Sequence, residues 1–264
     1  MKRWTMTVLV LALLGAAIVA CSGESAAYKE ACAANTAEAY QGYLEQFPEG
    51  LSAADVKHRL DLVDYEAAEA AATPEAYQAY LEAHPDGRFA DGARDEARKL
   101  SWAAAEEANS VDAMVAFKNE YGTGAMGITA DKRLEALRYA ATSVKIEELV
   151  VERVNISGDR RAEPNGHVIR AKFTNSGERS AKVMKLRVVF KGEGGESVDR
   201  KTEFIATPSH PMGIPIAERL KAPFAPGEER MFEYLIGDDT AKPNWKADAE
   251  HVTVEVTEIE FAGG

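Results

Sequence analysis

Two kinds of hydrophobic periodicity divide this chain. From about residue 28 to residue 142 apolar positions recur every three to four residues, the spacing of amphipathic helices; from Ser143 onward they alternate, with proline and glycine punctuating the chain every ten or so residues. In the helical part the pattern repeats. The stretch TAEAYQGYLEQFPEG, Thr36 to Gly50, matches TPEAYQAYLEAHPDG, Thr73 to Gly87, at 10 of 15 positions with an offset of 37. The same step leads to SVDAMVAFKNEYGTG, Ser110 to Gly124, a degraded copy in register, and links the aromatics Tyr28, Tyr65, Trp102 and Tyr139.

Each unit reads as two helices. Thr73 or Ser110 caps the first by accepting a backbone N–H, and Pro74 stands at the first helical position, where its missing N–H costs nothing. Ala76, Tyr77, Tyr80 and Leu81 share one face of that helix, Pro85-Asp86-Gly87 breaks it, and a second helix runs from about Phe89 to Ala108. Recurrence at the repeat period marks Tyr40, Tyr43, Tyr77 and Tyr80 as core residues rather than a ligand shelf. Acidic positions such as Glu66, Glu69, Glu106 and Glu107 read as a solvated face, and Cys32, in register with Glu69, is expected on the solvent side.

Beyond Ser143, Ile169, Ala171 and Phe173 fall on one side of a strand with Arg170 and Lys172 on the other, and Met184, Leu186, Val188 and Phe190 alternate in the next. Further runs at 202–206, 229–236 and 251–261 bring the expected total to about seven strands of an antiparallel β-sandwich. Val252, Val254 and Val256 keep one parity while Ile259 and Phe261 take the other, which requires a bulge near Thr257 or Glu258. Gly192-Glu193-Gly194-Gly195 joins two strands and reads as a hairpin turn, not a phosphate loop. The proline-rich segment from Thr207 to Pro226 is a candidate binding loop. Arg170, Lys172, Lys185 and Arg187 would form a basic stripe if their strands pair.

The first 21 residues, MKRWTMTVLVLALLGAAIVAC, add a location. A charged start at Lys2 and Arg3, an apolar stretch too short for a permanent span, and Ile18-Val19-Ala20-Cys21 resemble the signal peptide and lipobox of bacterial lipoproteins. The resemblance implies cleavage before Cys21, lipid on its thiol and amine, and a membrane anchor without a transmembrane helix. Ser22 in place of an aspartate favours the outer membrane, with the domains facing the periplasm.

The helix pairs resemble tetratricopeptide-type repeats of bacterial envelope lipoproteins, though the unit of 37 residues is longer and the tryptophan-leucine-glycine signature is missing. That resemblance implies a short curved stack whose concave face takes a peptide or protein, or which serves as a spacer. The segments Phe173 to Gly177, the lysine-alternating strand after it, and Pro226-Gly227-Glu228 before 230–234 are similar to small immunoglobulin-like domains of the FxLYD type. Val189-Phe190-Lys191-Gly192-Glu193 stands where their naming signature is expected.

With 43 acidic against 31 basic side chains and a formal net charge of −12, the chain is no general nucleic-acid binder, nor does it adhere electrostatically to anionic lipid. The five histidines, His58, His84, His167, His210 and His251, lack ligand spacing, no serine sits in a nucleophile elbow, and no metal or other cofactor is implied beyond the lipid. The expected organisation is a signal peptide over 1–20, a linker over 21–27, helical repeats over 28–142 and an immunoglobulin-like sandwich over 143–264. The expected function is non-enzymatic: a scaffold or assembly factor for another envelope protein. The alternative is recognition of cell-wall or surface polysaccharide, with Trp245 and Tyr234 as stacking groups and the helices as a spacer.

Overall fold

A computed structural model describes residues 23–159, 161–210 and 213–263. Cys21 and the whole of the signal-peptide reading lie outside them, and among the described residues no helix is long and apolar enough to cross a membrane. Helices come first, followed by two three-stranded antiparallel sheets. The chain divides into two compact units, residues 1–104 and 105–264, so the division falls within a helix, upstream of Ser143, where helix gives way to strand.

The first unit holds α1 (23–34), α2 (Ala37–Gln46), α3 (Ala53–Ala71), α4 (Pro74–Ala83) and most of α5 (Ala90–Ala108). One turn is used again and again. Asn35 and Ala72 adopt positive φ of 49° and bond back by N–H to the carbonyls of Ala31 and Ala68; the next residue, Thr36 or Thr73, is extended and accepts the N–H three residues on. Asn109 and Ser110 repeat this arrangement between α5 and α6 (Val111–Tyr121). The four tyrosines expected in the core are there: Tyr40 and Tyr43 pack with Val56 and Leu60, and Tyr77 and Tyr80 with Ala68, Ala93 and Ala97. Cys32 is half-buried against the first of these clusters rather than facing solvent, because α1 packs its Ala27, Ala31 and Tyr28 there as well.

The second unit contains the end of α5, α6, α7 (Gly124–Ser143) and, among the described residues, six strands where about seven were expected: β1 (Val144–Val154), β2 (Gly166–Asn175), β3 (Ala181–Lys191), β4 (Ser197–Ala206), β5 (Glu229–Gly237) and β6 (Val252–Phe261). A short α8 (Glu218–Lys221) interrupts the proline-rich segment. The sheet orders are β1-β2-β5 and β4-β3-β6. Ile169, Ala171 and Phe173 of β2 and Met184, Leu186, Val188 and Phe190 of β3 are all buried in one core shared by both sheets, as their alternation requires. The bulge falls at Thr257: Lys185 pairs with Glu258 and Leu186 with Val256, which switches the inward parity from Val256 to Ile259. Gly192 to Glu196 close the β3–β4 hairpin, with Gly195 at φ 82°.

Asn175, at the end of β2, is fully buried and ties three segments together. Its Nδ2 donates to the carbonyls of Arg179 at 2.8 Å and Phe224 at 2.9 Å, and its Oδ1 accepts from Gly177 N–H at 3.2 Å and the Tyr139 hydroxyl of α7 at 2.8 Å. A similar role falls to Arg230, whose guanidinium bonds Glu228 and the carbonyls of Ile205, Ala222 and Pro223.

Candidate functional site

The residues singled out for stacking belong to the core side of the sheets. Trp245, in the β5–β6 connection, is 8% exposed and meets Phe190 edge-on at 5.0 Å and His167 at 5.4 Å between ring centroids. Its Nε1 is buried and has no hydrogen-bond partner among the described residues. Tyr234 alternates inward on β5 with Phe232 and Ile236 and lies 6.0 Å from the Phe190 ring. Burial pushes its phenol above the ordinary tyrosine range. The two aromatics thus meet around Phe190 and act as packing there.

The basic stripe does not form, because β2 and β3 lie in different sheets. Each of its four cations has an acidic neighbour instead. Arg170 sits between Glu152 and Glu233 across the outer face of the first sheet, and Lys172 bonds Glu148 at 2.8 Å. Lys185 pairs with Glu258, while Arg187 bonds Glu255 at 2.8 Å and Glu107 of α5 at 3.2 Å. Such ladders supply cross-strand register.

A group that the sequence reading missed sits on the inward face of β4, where Asp199, Lys201 and Glu203 alternate with the outward Arg200 and Thr202. Asp-x-Lys-x-Glu would have shown it, had the strand been started at Ser197 rather than Thr202. Lys201 lies 3.0 Å from Asp199. Burial pushes the Asp199 carboxyl up, but Lys201 and the Arg200 N–H outweigh it and hold the group below the usual range. Glu203 differs: burial raises its pKa, and nearby His210 only partly offsets this. A carboxyl whose folded-state pKa is raised costs stability as pH climbs from its unfolded value to its folded one, and that cost then stays constant. Glu203→Gln is therefore expected to raise the melting temperature at about pH 7 and to leave it unchanged near pH 3, where both states are protonated. Equal shifts at both pH values would contradict the burial argument.

The proline-rich segment is anchored at both ends: Thr207 is buried and its N–H bonds Leu220 at 2.7 Å, while Phe224 is in the core and pairs with Ala181 across an isolated bridge. Among the described residues no group of His, Cys, Asp and Glu is arranged to hold a metal ion.

No protein-family model matches the chain, and no curated protein does.

What the first unit leaves on its surface is a recurring set of acids outside its core, two of which, Glu38 and Glu75, stand in the first turns of α2 and α4, where the helix dipole favours a carboxylate. On α2 the exposed Glu38 and Glu45 stand on the side away from Tyr40 and Tyr43; on α4 the exposed Glu75 and Glu82 occupy the same positions one period of 37 later. The inward acids are spent differently. Glu24 accepts from the Tyr43 hydroxyl at 2.7 Å and from Ser52 N–H at 3.1 Å, and Asp61 accepts from Tyr80 at 2.5 Å and Arg88 N–H at 2.9 Å.

Proposed function

We propose that this chain is a non-enzymatic scaffold of a bacterial envelope, tethered through lipid on Cys21 to the outer membrane and facing the periplasm. In this reading the helices form a tetratricopeptide-like array and the sheets an immunoglobulin-like sandwich. The observation that carries the proposal is the contrast between core-bonded and exposed acids in the helical unit. Glu24 and Asp61 are consumed in bonds to tyrosine and backbone, whereas Glu38, Glu45, Glu75 and Glu82 repeat on an exposed face with no part in the core. A recurring row of one charge suits an extended, basic segment of a partner protein better than a small substrate. Polysaccharide recognition is not the reading adopted, since Trp245 is packed into the core.

The test is a crosslinked pull-down from envelope fractions with tagged protein. Wild type is expected to enrich one envelope protein, Cys21→Ser to lose it together with the membrane, and Glu38→Gln/Glu45→Gln/Glu75→Gln/Glu82→Gln to lose at least tenfold of it while staying anchored and folded. Undiminished recovery with the fourfold variant would remove the acidic row as the docking face.

A further inference from the structure

Four strands end the two sheets, and three of them carry a bulge or a flanking helix that discourages pairing with another chain. β1 is broken by a bulge between Glu147 and Val150, where Glu148 has φ 55°, and α7 packs near it. β6 is bulged against β3 in two places and is also flanked by α7. β4 turns Asp199, Lys201 and Glu203 inward and has α8 beside it. β5 has neither a bulge nor a flanking helix among the described residues, and its one inward charge, Arg230 near the start of the strand, is tied to Glu228 and to the carbonyls of Ile205, Ala222 and Pro223. It runs in unbroken register with β2 from Glu229↔Thr174 to Gly237↔Gly166 and contains neither lysine nor proline. Among the described residues, the backbone of 229–236 makes no hydrogen bond other than to β2. Its outward residues include two large exposed apolar side chains, Met231 at 46% and Leu235 at 60% exposure.

We infer that β5 pairs antiparallel with β5 of a second copy, joining two three-stranded sheets into one of six strands. The sequence of the strand selects the partner. Antiparallel pairing that keeps the outer faces of both sheets on one side requires paired residue numbers with an even sum. Centring the two-fold on Glu233 sets Met231 opposite Leu235 twice, so each exposed apolar side chain covers the other, and uses all nine residues of the strand. Moving the centre to Met231 places Glu229 against Glu233 twice, and moving it to Phe232 sets Met231 against Glu233 and Leu235 against Glu229. Only the first register satisfies the apolar residues. Its one cost is Glu233 facing its own copy, which is moderated by Arg170, 2.8 Å from each Glu233 within its own sheet.

Across such a pair, the two Cα atoms of residue 233 come within about 4.5–5.5 Å, inside the range that a disulfide bridges. The full chain carrying Cys32→Ser and Glu233→Cys, mildly oxidised, is expected to run as a disulfide-linked species of twice the mass. Thr202→Cys, exposed on β4, is the control and should stay at single mass. Adding Leu235→Lys should cut the linked fraction at least tenfold, since two lysines would face two methionines. Glu233→Gln, read by amine crosslinking of the otherwise unchanged chain, should increase dimer by removing the like-charge pair. Single-mass Glu233→Cys, linkage no greater than the Thr202→Cys control, or adducts with a different protein would each overturn the inference.

Discussion

Asn175→Ala is expected to cost about 4 kcal/mol of folding stability, a large share of the roughly 5–15 kcal/mol that holds a typical domain together. The magnitude follows from saturation. All four hydrogen-bonding positions of the amide are used: two donors on the Arg179 and Phe224 carbonyls, two acceptor sites on Gly177 N–H and the Tyr139 hydroxyl. The residue is fully buried, so water cannot replace what is lost. Its main chain adds to the same junction, taking a bond from Gly227 N–H at 2.7 Å and giving one to Glu228 at 3.0 Å, but alanine keeps these. Asn175→Asp separates bonding from volume. The isosteric carboxylate sets negative oxygens against two carbonyls, so it should be as damaging as alanine at neutral pH. Acidification should restore part of the loss, because the introduced acid can donate once protonated, its pKa being raised in the folded state. Calorimetric unfolding at neutral and acid pH decides it; a loss under about 1 kcal/mol for alanine, or no acid rescue for aspartate, would show that the junction is held by packing alone.

Much of this fold is legible in the residues themselves, and the illegible part has a common cause. Period and parity report which side of an element is buried, so the tyrosines of α2 and α4, the inward residues of β2 and β3, and the bulge at Thr257 could be read directly. Local backbone chemistry was equally readable in the Thr73 cap, Pro74 and the glycine hairpin. Sheet membership was not. Whether Arg170 and Arg187 share a sheet depends on which strands meet, and alternation is silent about that, so the basic stripe, conditional on that pairing, gives way to two sets of ion pairs. Trp245 misled for a related reason. It lies in a connection flanked by proline and lysine, which reads as exposed, while the Phe190 ring it packs on is more than fifty residues away. The candidate docking row, Glu38 to Glu82, was not singled out from the sequence, where the acids read as a solvated face were Glu66, Glu69, Glu106 and Glu107; the partners of Glu24 and Asp61 are what set the exposed acids of α2 and α4 apart from those bonded into the core.

Gly87→Ala is expected to cost about 3 kcal/mol, although the substitution adds a single methyl and φ there is not positive. The methyl has nowhere to go: a Cβ at this position would lie 2.5 Å from Asp61 Oδ1, 2.6 Å from Tyr80 Oη and 2.9 Å from His84 Cβ. The contact it breaks is the bond from Tyr80 to Asp61, two residues respectively 3% and 6% exposed. Burial, reinforced by that carboxylate, holds the Tyr80 phenol well above its ordinary pKa, so the hydroxyl stays a donor at all physiological pH. Gly50 stands in the same relation to Glu24 and Tyr43, at 2.6 Å and 2.9 Å, but Glu24 is less buried and can swing outward. Gly50→Ala should therefore cost clearly less than Gly87→Ala. Tyr80→Phe alone loses about 2 kcal/mol by leaving Asp61 short of a donor. It also empties part of the space the methyl needs, so the double variant should be more stable than the sum of the single losses implies, by about 1 kcal/mol. Thermal or urea unfolding of the four proteins closes the cycle. Strict additivity would mean that Gly87 is required for the turn and not for the tyrosine–aspartate bond beneath it.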